Sequence, residues 1–204
     1  MHHKLSRPPI HLSQCVLYNR FRFDLDGGPH TMPGHSVPLA ALGGFILFFG
    51  FVAFNGGSQL TVSNDGDADA IATAVFATVL GGSAGGLVVL AINRVAPSGG
   101  KWSCLLTING GLGGMVAQCA GCNNYLPWSA AVVGVLGGCA YYTVHIVMVK
   151  LRLDDPLDAV AVHGGAGMVG VLCAPVFSYK TGILWTSLGW RTLGVRHRRC
   201  EACQ

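Results

Sequence analysis

One histidine, His163, sits inside a run apolar enough to cross a bilayer: Asp158-Ala-Val-Ala-Val-His-Gly-Gly-Ala-Gly167, directly after Asp154-Asp155-Pro156. An imidazole at membrane depth costs several kcal/mol unless it faces a cavity or a partner, so an ionisable group placed there marks a pathway or a proton relay. An imidazole is the side chain suited to accept, pass and return protons near neutral pH. The competing reading is an interhelical hydrogen bond with no transport role. Asp158 lies five residues earlier, about half a turn round the helix, where a carboxylate is expected to cap free N–H groups and complement the helix dipole. Asp154 and Asp155 are expected to do the same, or to pair with Lys150 and Arg152, an arrangement worth little in solvent. Among the other histidines, His2, His3, His11, His30, His35 and His197 fall in solvent-side segments, and His145, near the end of its own helix, is expected to be solvated.

The eight cysteines carry less chemistry than their count suggests. Cys119-x-x-Cys122 stands at a helix end and Cys200-x-x-Cys203 in the tail, too far apart in the chain to read as a zinc ribbon. Cys104, Cys139 and Cys173 fall within apolar spans, where a thiol behaves as a small apolar group. No nucleophile triad, phosphate loop or metal-ligand spacing is present, so neither an enzyme nor a bound cofactor or metal is expected.

The elements that must position His163 follow from composition. Only 11% of residues are charged and 51% are hydrophobic, with a mean hydropathy of +0.49, where a soluble domain has about a quarter of its residues charged. No Asp, Glu, Lys or Arg occurs between Asp26 and Asp65, Asp69 and Arg94, Lys101 and Lys150, or Asp158 and Lys180. Each interval holds one or two spans, because a membrane helix needs about 20 apolar residues. The reading is an all-α, multi-pass membrane protein with helices over 37–54, 70–92, 103–121, 129–149 and 159–178. Continuous apolar runs without a two-residue alternation exclude barrel strands.

Lys4, Arg7, Arg20 and Arg22 precede the first span, Arg94 and Lys101 lie between the second and third, and Lys150 and Arg152 between the fourth and fifth. By the positive-inside rule these share the cytoplasmic side, so the N-terminus is cytoplasmic and the loop with Asp65, Asp67 and Asp69 is outside. Trp185 and Trp190, beyond the fifth span, suit the opposite interface. Residues 1–14 lack the apolar core of a cleavable signal peptide. The 30 glycines fall within the spans, as in Gly81-Gly-Ser-Ala-Gly-Gly86 and Gly110-Gly-Leu-Gly-Gly114. Such small-residue faces let helices approach closely in lipid, either inside a compact bundle or between separate chains.

Met32-Pro-Gly-His-Ser-Val-Pro-Leu-Ala-Ala-Leu-Gly-Gly-Phe-Ile-Leu-Phe-Phe-Gly-Phe-Val-Ala-Phe-Asn-Gly-Gly-Ser58 resembles the sixth transmembrane helix of the ammonium transporters of the Amt type. Gly100-Lys-Trp-Ser103, Thr107-Ile-Asn-Gly110, Ala120-Gly-Cys122 and Lys150-Leu-Arg-Leu-Asp-Asp-Pro-Leu-Asp-Ala-Val-Ala-Val-His-Gly164 resemble that family's later motifs in the same order, and Arg22-Phe-Asp-Leu-Asp-Gly27 its fifth-to-sixth loop. The resemblance covers residues 20–185, after a divergent segment over 1–19, and equates the five spans with family helices six to ten. It is closer to the Amt type than to the Rh type.

The resemblance implies homotrimers of eleven-helix subunits in a lipid bilayer, at the plasma membrane in the family's usual manner, each with a pore between two inverted repeats.

 It places two histidines along that pore. His163 corresponds to the second, on the tenth helix, where it would bond its partner and relay or receive the proton of ammonium. Phe54 corresponds to the second phenylalanine gate on the sixth helix, and Ser58 to the hydroxyl that, with aromatic rings, helps form the outer ammonium site. Phe51 stands where bacterial members often have Trp, keeping the π face and losing the indole donor. The chemistry is coherent: ammonium and potassium share charge and similar size, but only ammonium can surrender a proton and cross a narrow apolar pore as neutral ammonia, whereas a bare cation meets the full desolvation penalty.

The same resemblance implies departures. The family's first five helices, with the first pore histidine, the first gate phenylalanine and an acidic residue of the outer site, have no counterpart in this sequence. Ala77 stands in a stretch of the seventh helix where the family usually has Asn. Leu188-Gly-Trp-Arg-Thr-Leu-Gly-Val195 resembles the start of the eleventh helix, but the basic run Arg196-His-Arg-Arg-Cys-Glu-Ala-Cys-Gln204 cannot span a membrane. The expectation is ammonium/ammonia transport by a chain that conducts only when a second copy or a separate first half completes the bundle; the alternative is a non-conducting membrane protein that associates with intact transporter subunits. No nucleic-acid partner is expected. The charge asymmetry is testable by itself: a cysteine introduced at Asp65 in a cysteine-free variant should react with an impermeant maleimide added outside intact cells, and one introduced at Lys101 should react only after permeabilisation. The reverse pattern would overturn the orientation.

Overall fold

A computed structural model of the chain describes residues 36–95, 102–151, 153, 155, 157–179 and 181–184. The expectations for 1–19, Arg22–Gly27, Asp154, Trp185, Trp190 and the tail over 186–204 fall outside those residues. Within them the secondary structure is entirely helical: α1 (Val37–Gly57), α2 (Asp67–Val95), α3 (Cys104–Gln118), a 3₁₀ turn (Cys122–Asn124), α4 (Pro127–Lys150), a π-helical turn (Val160–Gly165) and α5 (Ala166–Phe177). The chain is an all-α, multi-pass membrane protein.

The helix ends follow local chemistry. Ser36 Oγ accepts from the Leu39 amide to start α1, and Ser103 Oγ accepts from the Leu106 amide to start α3. Each satisfies one of the N–H groups that a first turn leaves without a helical partner. Asp67 and Asp69 occupy the first turn of α2 and Arg94 its last, matching the helix dipole at both ends. Pro127 opens α4, where its missing N–H costs nothing.

Four helical segments are long and apolar enough to cross a membrane: Val37–Gly57, Asp67–Val95, Pro127–Lys150 and Val160–Phe177, the last running through the π-helical turn into α5. The span expected over 103–121 is shorter. Helix α3 has 15 residues, about 22 Å at 1.5 Å per residue, and the chain completes that end through the turn at Cys122–Asn124. Protein encloses the second half of the short helix, where Gly110 through Gln118 are all buried. Irregular backbone at membrane depth is tolerated where protein covers it.

Helix α2 is the centre, packed on α3 and α4 along glycine. Three helices meet at Gly81: a Cβ on either Gly114 of α3 or Gly134 of α4 would run into the Gly81 carbonyl oxygen. One turn along, a Cβ on Gly85 would lie 2.6 Å from the Gly110 oxygen, and one on Gly138 would lie 2.7 Å from the Gly85 oxygen. The obstruction in each case is backbone, which cannot swing aside, so these positions exclude every other residue. The small-residue faces of α2, α3 and α4 are therefore spent largely on contacts within the chain.

Two apolar clusters flank this crossing. One contains Ala74, Ala77, Ala117, Cys122, Tyr125, Ala130, Val133 and Cys173; the other contains Val89, Leu112, Val116, Tyr141, Ala161, Val162 and Ala166. Gln118 is fully buried beside the crossing, and its Nε2 donates to the Ala130 carbonyl at 2.8 Å. Helix α1 is the outlier: Phe45, Ile46, Phe49 and Phe54 are all more than 60% exposed. Gly114→Ala should lower thermal stability in detergent by about 1–3 kcal/mol, the usual cost of overpacking. Gly50→Ala, where nothing lies within 4 Å, should be neutral or stabilising by up to about 1 kcal/mol through helix propensity. Equal melting temperatures for the two variants would contradict the backbone crossing.

Candidate functional site

The candidate residues come from two elements. Phe51 and Phe54 lie on the last turns of α1, Ser58 caps that helix, and His163 lies within the π-helical turn. The imidazole of His163 stacks on Phe51, with ring centroids 6.3 Å apart and planes 19° from parallel. Phe51 in turn meets Phe54 edge to face at 6.4 Å. His163, Phe51 and Phe54 thus form a continuous aromatic row running from the π-helical turn towards the Ser58 end of α1. His163 and Phe54 are exposed on the surface of this chain, and Phe51 is half-buried between them. Ser58 Oγ donates to the Phe54 carbonyl at 2.7 Å, so its hydroxyl is tied to the backbone beside the end of the row while its oxygen lone pairs remain available to accept.

The backbone beneath His163 is unusual. Residues 160–165 form a π-helical turn rather than the regular α-helix expected over 159–178. Such turns hold an extra residue and occur mostly as single turns inside α-helices, frequently at functional sites. The expectation that Asp158 caps this helix is corrected: Asp155 does so. Asp155 Oδ1 accepts from the Ala159 amide at 2.8 Å, and its Oδ2 accepts from the amides of Val160 at 2.8 Å and Ala161 at 3.3 Å. Asp158 instead adopts a left-handed backbone with φ of +56°, a conformation that costs a non-glycine residue about 1–3 kcal/mol and persists only when surroundings impose it.

Those surroundings form a polar cluster that the sequence reading missed. The buried Asp158 carboxylate meets Tyr141 Oη at 3.1 Å, His145 Nδ1 at 2.8 Å and, more weakly, Asn109 Nδ2 at 3.4 Å. His145 is therefore not the solvated histidine expected; its side chain is 15% exposed. With Asp158 ionised its carboxylate only accepts hydrogen bonds, and Nδ1 of His145 then carries the proton of the pair. The available signals were Tyr141 and His145 four apart on one helix face, and Asn109 in the Thr107-Ile-Asn-Gly110 motif, but nothing local points them at Asp158. A second buried pair lies beside Phe54: Asn55 Nδ2 donates to Thr78 Oγ1 at 2.9 Å and joins α1 to α2.

The cysteine pair Cys119 and Cys122 is unbonded, with Cys122 buried. Among the described residues no three His, Cys, Asp or Glu side chains gather as a metal site. Asp155→Ala leaves three amides of the first turn without their acceptor and should destabilise the fold by about 1–2 kcal/mol, with hydrogen exchange at residues 159–161 rising before that of α2. Unchanged exchange there would remove Asp155 from its role as the cap.

Comparison with known proteins gives this geometry a context. The chain is 46% identical over 160 residues to putative ammonium transporter 1 of Caenorhabditis elegans, an alignment covering 78% of this chain and 30% of that protein. It is 35% identical over 166 residues to ammonium transporter Amt1 of Methanocaldococcus jannaschii, covering 81% and 40% respectively. Among solved structures, a sensor Amt protein superposes with a TM-score of 0.70 at 31% identity, covering 81% of this chain and 40% of that one. Saccharomyces cerevisiae Mep2 superposes with a TM-score of 0.65 at 26% identity, covering 78% and 39%. The chain thus spans well under half the length of these relatives. Residues 13–196 match the Ammonium Transporter Family as a whole, and with nine-tenths of its length inside that match the chain belongs to this family.

Proposed function

We propose that this chain supplies one wall of an ammonium/ammonia pathway across a lipid bilayer, with His163 as its proton-handling group. The observation that carries the reading is the stack of His163 on Phe51, continued by Phe54. An imidazole with one face on an aromatic ring and the rest of its surface clear of the chain's own core can meet a permeating molecule. A row of rings gives a cation π faces at the entrance, while the apolar interior beyond makes passage of a charged ion costly. Ammonium resolves that conflict by giving up its proton, and the histidine can pass the proton on. Ser58, at the end of the row, is suited to accept an N–H bond from ammonium as it arrives.

The wall opposite His163 would come from a second copy of this chain or from a separate first half, in the homotrimer that the family resemblance implies. The exposed apolar face of α1 supports this reading, because it needs either lipid or another helix against it. Placement at the plasma membrane with a cytoplasmic N-terminus is the topology that the family and the basic loops favour. The exposure of His163 also gives weight to the rival reading: a chain presenting a single wall can pack against intact transporter subunits without conducting.

Methylammonium uptake separates these readings. Cells lacking their own ammonium transporters would express this chain with the N-terminal half of a full-length relative, each also being expressed alone. Saturable uptake is expected from the pair where the first half supplies the opposite wall, and from this chain alone where a second copy does; either falls about 100-fold in His163→Ala, as the loss of a positioned acid–base group does. Phe51→Trp should retain uptake, since it keeps the aromatic face. Uptake no different from that of empty cells, or indifferent to His163→Ala, would overturn the transport reading in favour of the non-conducting one.

A further inference from the structure

The cluster around Asp158 stands where the segment carrying His163 begins, and it offers the π-helical turn a geometric reference. Its members come from two helices: Asn109 from α3, and Tyr141 and His145 from α4. Their common target is the one described residue in the connection to α5 that has a left-handed backbone. The Asp158 carbonyl then accepts from the Val162 amide at 2.8 Å, so the same residue sets the first hydrogen bond of the turn that carries His163. On that same face of α4, a Cβ on Gly165 would stand only 2.8 Å from Val144 Cγ2. Tyr141, Val144 and His145 therefore grip the segment on both sides of His163.

We propose that His145 and Asp158 form a positioning pair for His163: the bond from His145 Nδ1 to the Asp158 carboxylate holds Asp158 in its left-handed conformation, which fixes the π-helical turn and aims the His163 ring onto Phe51. Tyr141 supplies the second bond to the carboxylate and a ring that packs against His145 at 6.0 Å, with Tyr142 on it at 6.3 Å. The bond is directional and charge-assisted, and so specifies geometry better than apolar contact can. Without it the strained conformation of Asp158 loses a principal restraint, and the turn can relax towards ordinary α-helix, rotating His163 away from the row. The functional weight of this pair rests on the transport reading above; its structural part does not.

The test reads the two separately. The chain would be prepared in lipid nanodiscs with isotope-labelled histidine, and the His163 imidazole resonances assigned by their disappearance in His163→Ala. Stacking on Phe51 gives these resonances a ring-current shift that Phe51→Leu should abolish. His145→Ala should move them to the same positions as Phe51→Leu, whereas His145→Asn, whose side-chain amide can donate from the place of Nδ1, should restore the native shift. Tyr141→Phe removes one hydroxyl and should move them part of the way; it is read in the same manner should His145→Ala not fold. In the paired uptake assay, His145→Ala should lose up to about 100-fold, the scale on which misplacing a reacting group by about 1 Å acts, and His145→Asn should recover most of it. Native His163 resonances in His145→Ala, or His145→Asn behaving like His145→Ala, would overturn the positioning pair. If no uptake is seen from the unaltered chain with its completing half, the transport reading fails while the resonances still decide the geometry.

Discussion

The structure depends on backbone meeting backbone at Gly81. Where α2, α3 and α4 cross, no side chain separates them, and the carbonyl oxygen of one helix occupies the space where another would carry its Cβ. In lipid the hydrophobic effect does not drive helices together, so close van der Waals packing of this kind supplies the cohesion. The crossing fixes α3 as a short strut whose second half is enclosed, and α4 as a rigid face against which the chain before α5 can be set. Polar groups reinforce the arrangement from inside, with Gln118 reaching the Ala130 carbonyl and Asn55 reaching Thr78.

From this frame the candidate site is reached through two restraints of different chemistry. Asp155 binds three successive amides and fixes where the last span begins. Asp158 turns the other way, into α3 and α4, and fixes how the span is rotated. Two carboxylates three residues apart thus act on different properties of one helix. The aromatic contact between His163 and Phe51 then joins that helix to α1, the element with the least protein around it. The site lies between the most constrained part of the chain and the least, so rigidity reaches it from the Asp158 side alone.

Much of this was legible in the sequence because it is written in local patterns. Charge-free intervals mark the spans, glycine runs mark the faces that pack, and the isolation of His163 in an apolar run marks it as unusual. The length of α3 was not legible, since the same apolar composition serves a helix enclosed by protein and one facing lipid. The exchange of roles between Asp155 and Asp158 was hidden for another reason. Capping depends on which of two nearby carboxylates reaches back to the first amides, and that is decided by a positive φ imposed by Tyr141 and His145 from another helix. His145 looked solvated because its partner lies 13 residues away across a bend. Asn109, 49 residues from Asp158, was still further from any local rule.

The π-helical turn also bears on how this helix is aligned and compared. A π-helical turn holds an extra residue, so a count of 3.6 residues per turn carried through it runs about 100° out of step on the far side. Val160, which opens the turn, and Met168, Val171 and Leu172 beyond it all face outward. A heptad or amphipathic pattern drawn straight through the segment would assign the wrong face to one half of it. A relative lacking a residue between positions 160 and 165 would keep the same motif letters on either side of the gap and the same flanking faces, its helix being regular where this one is widened by the π-helical turn.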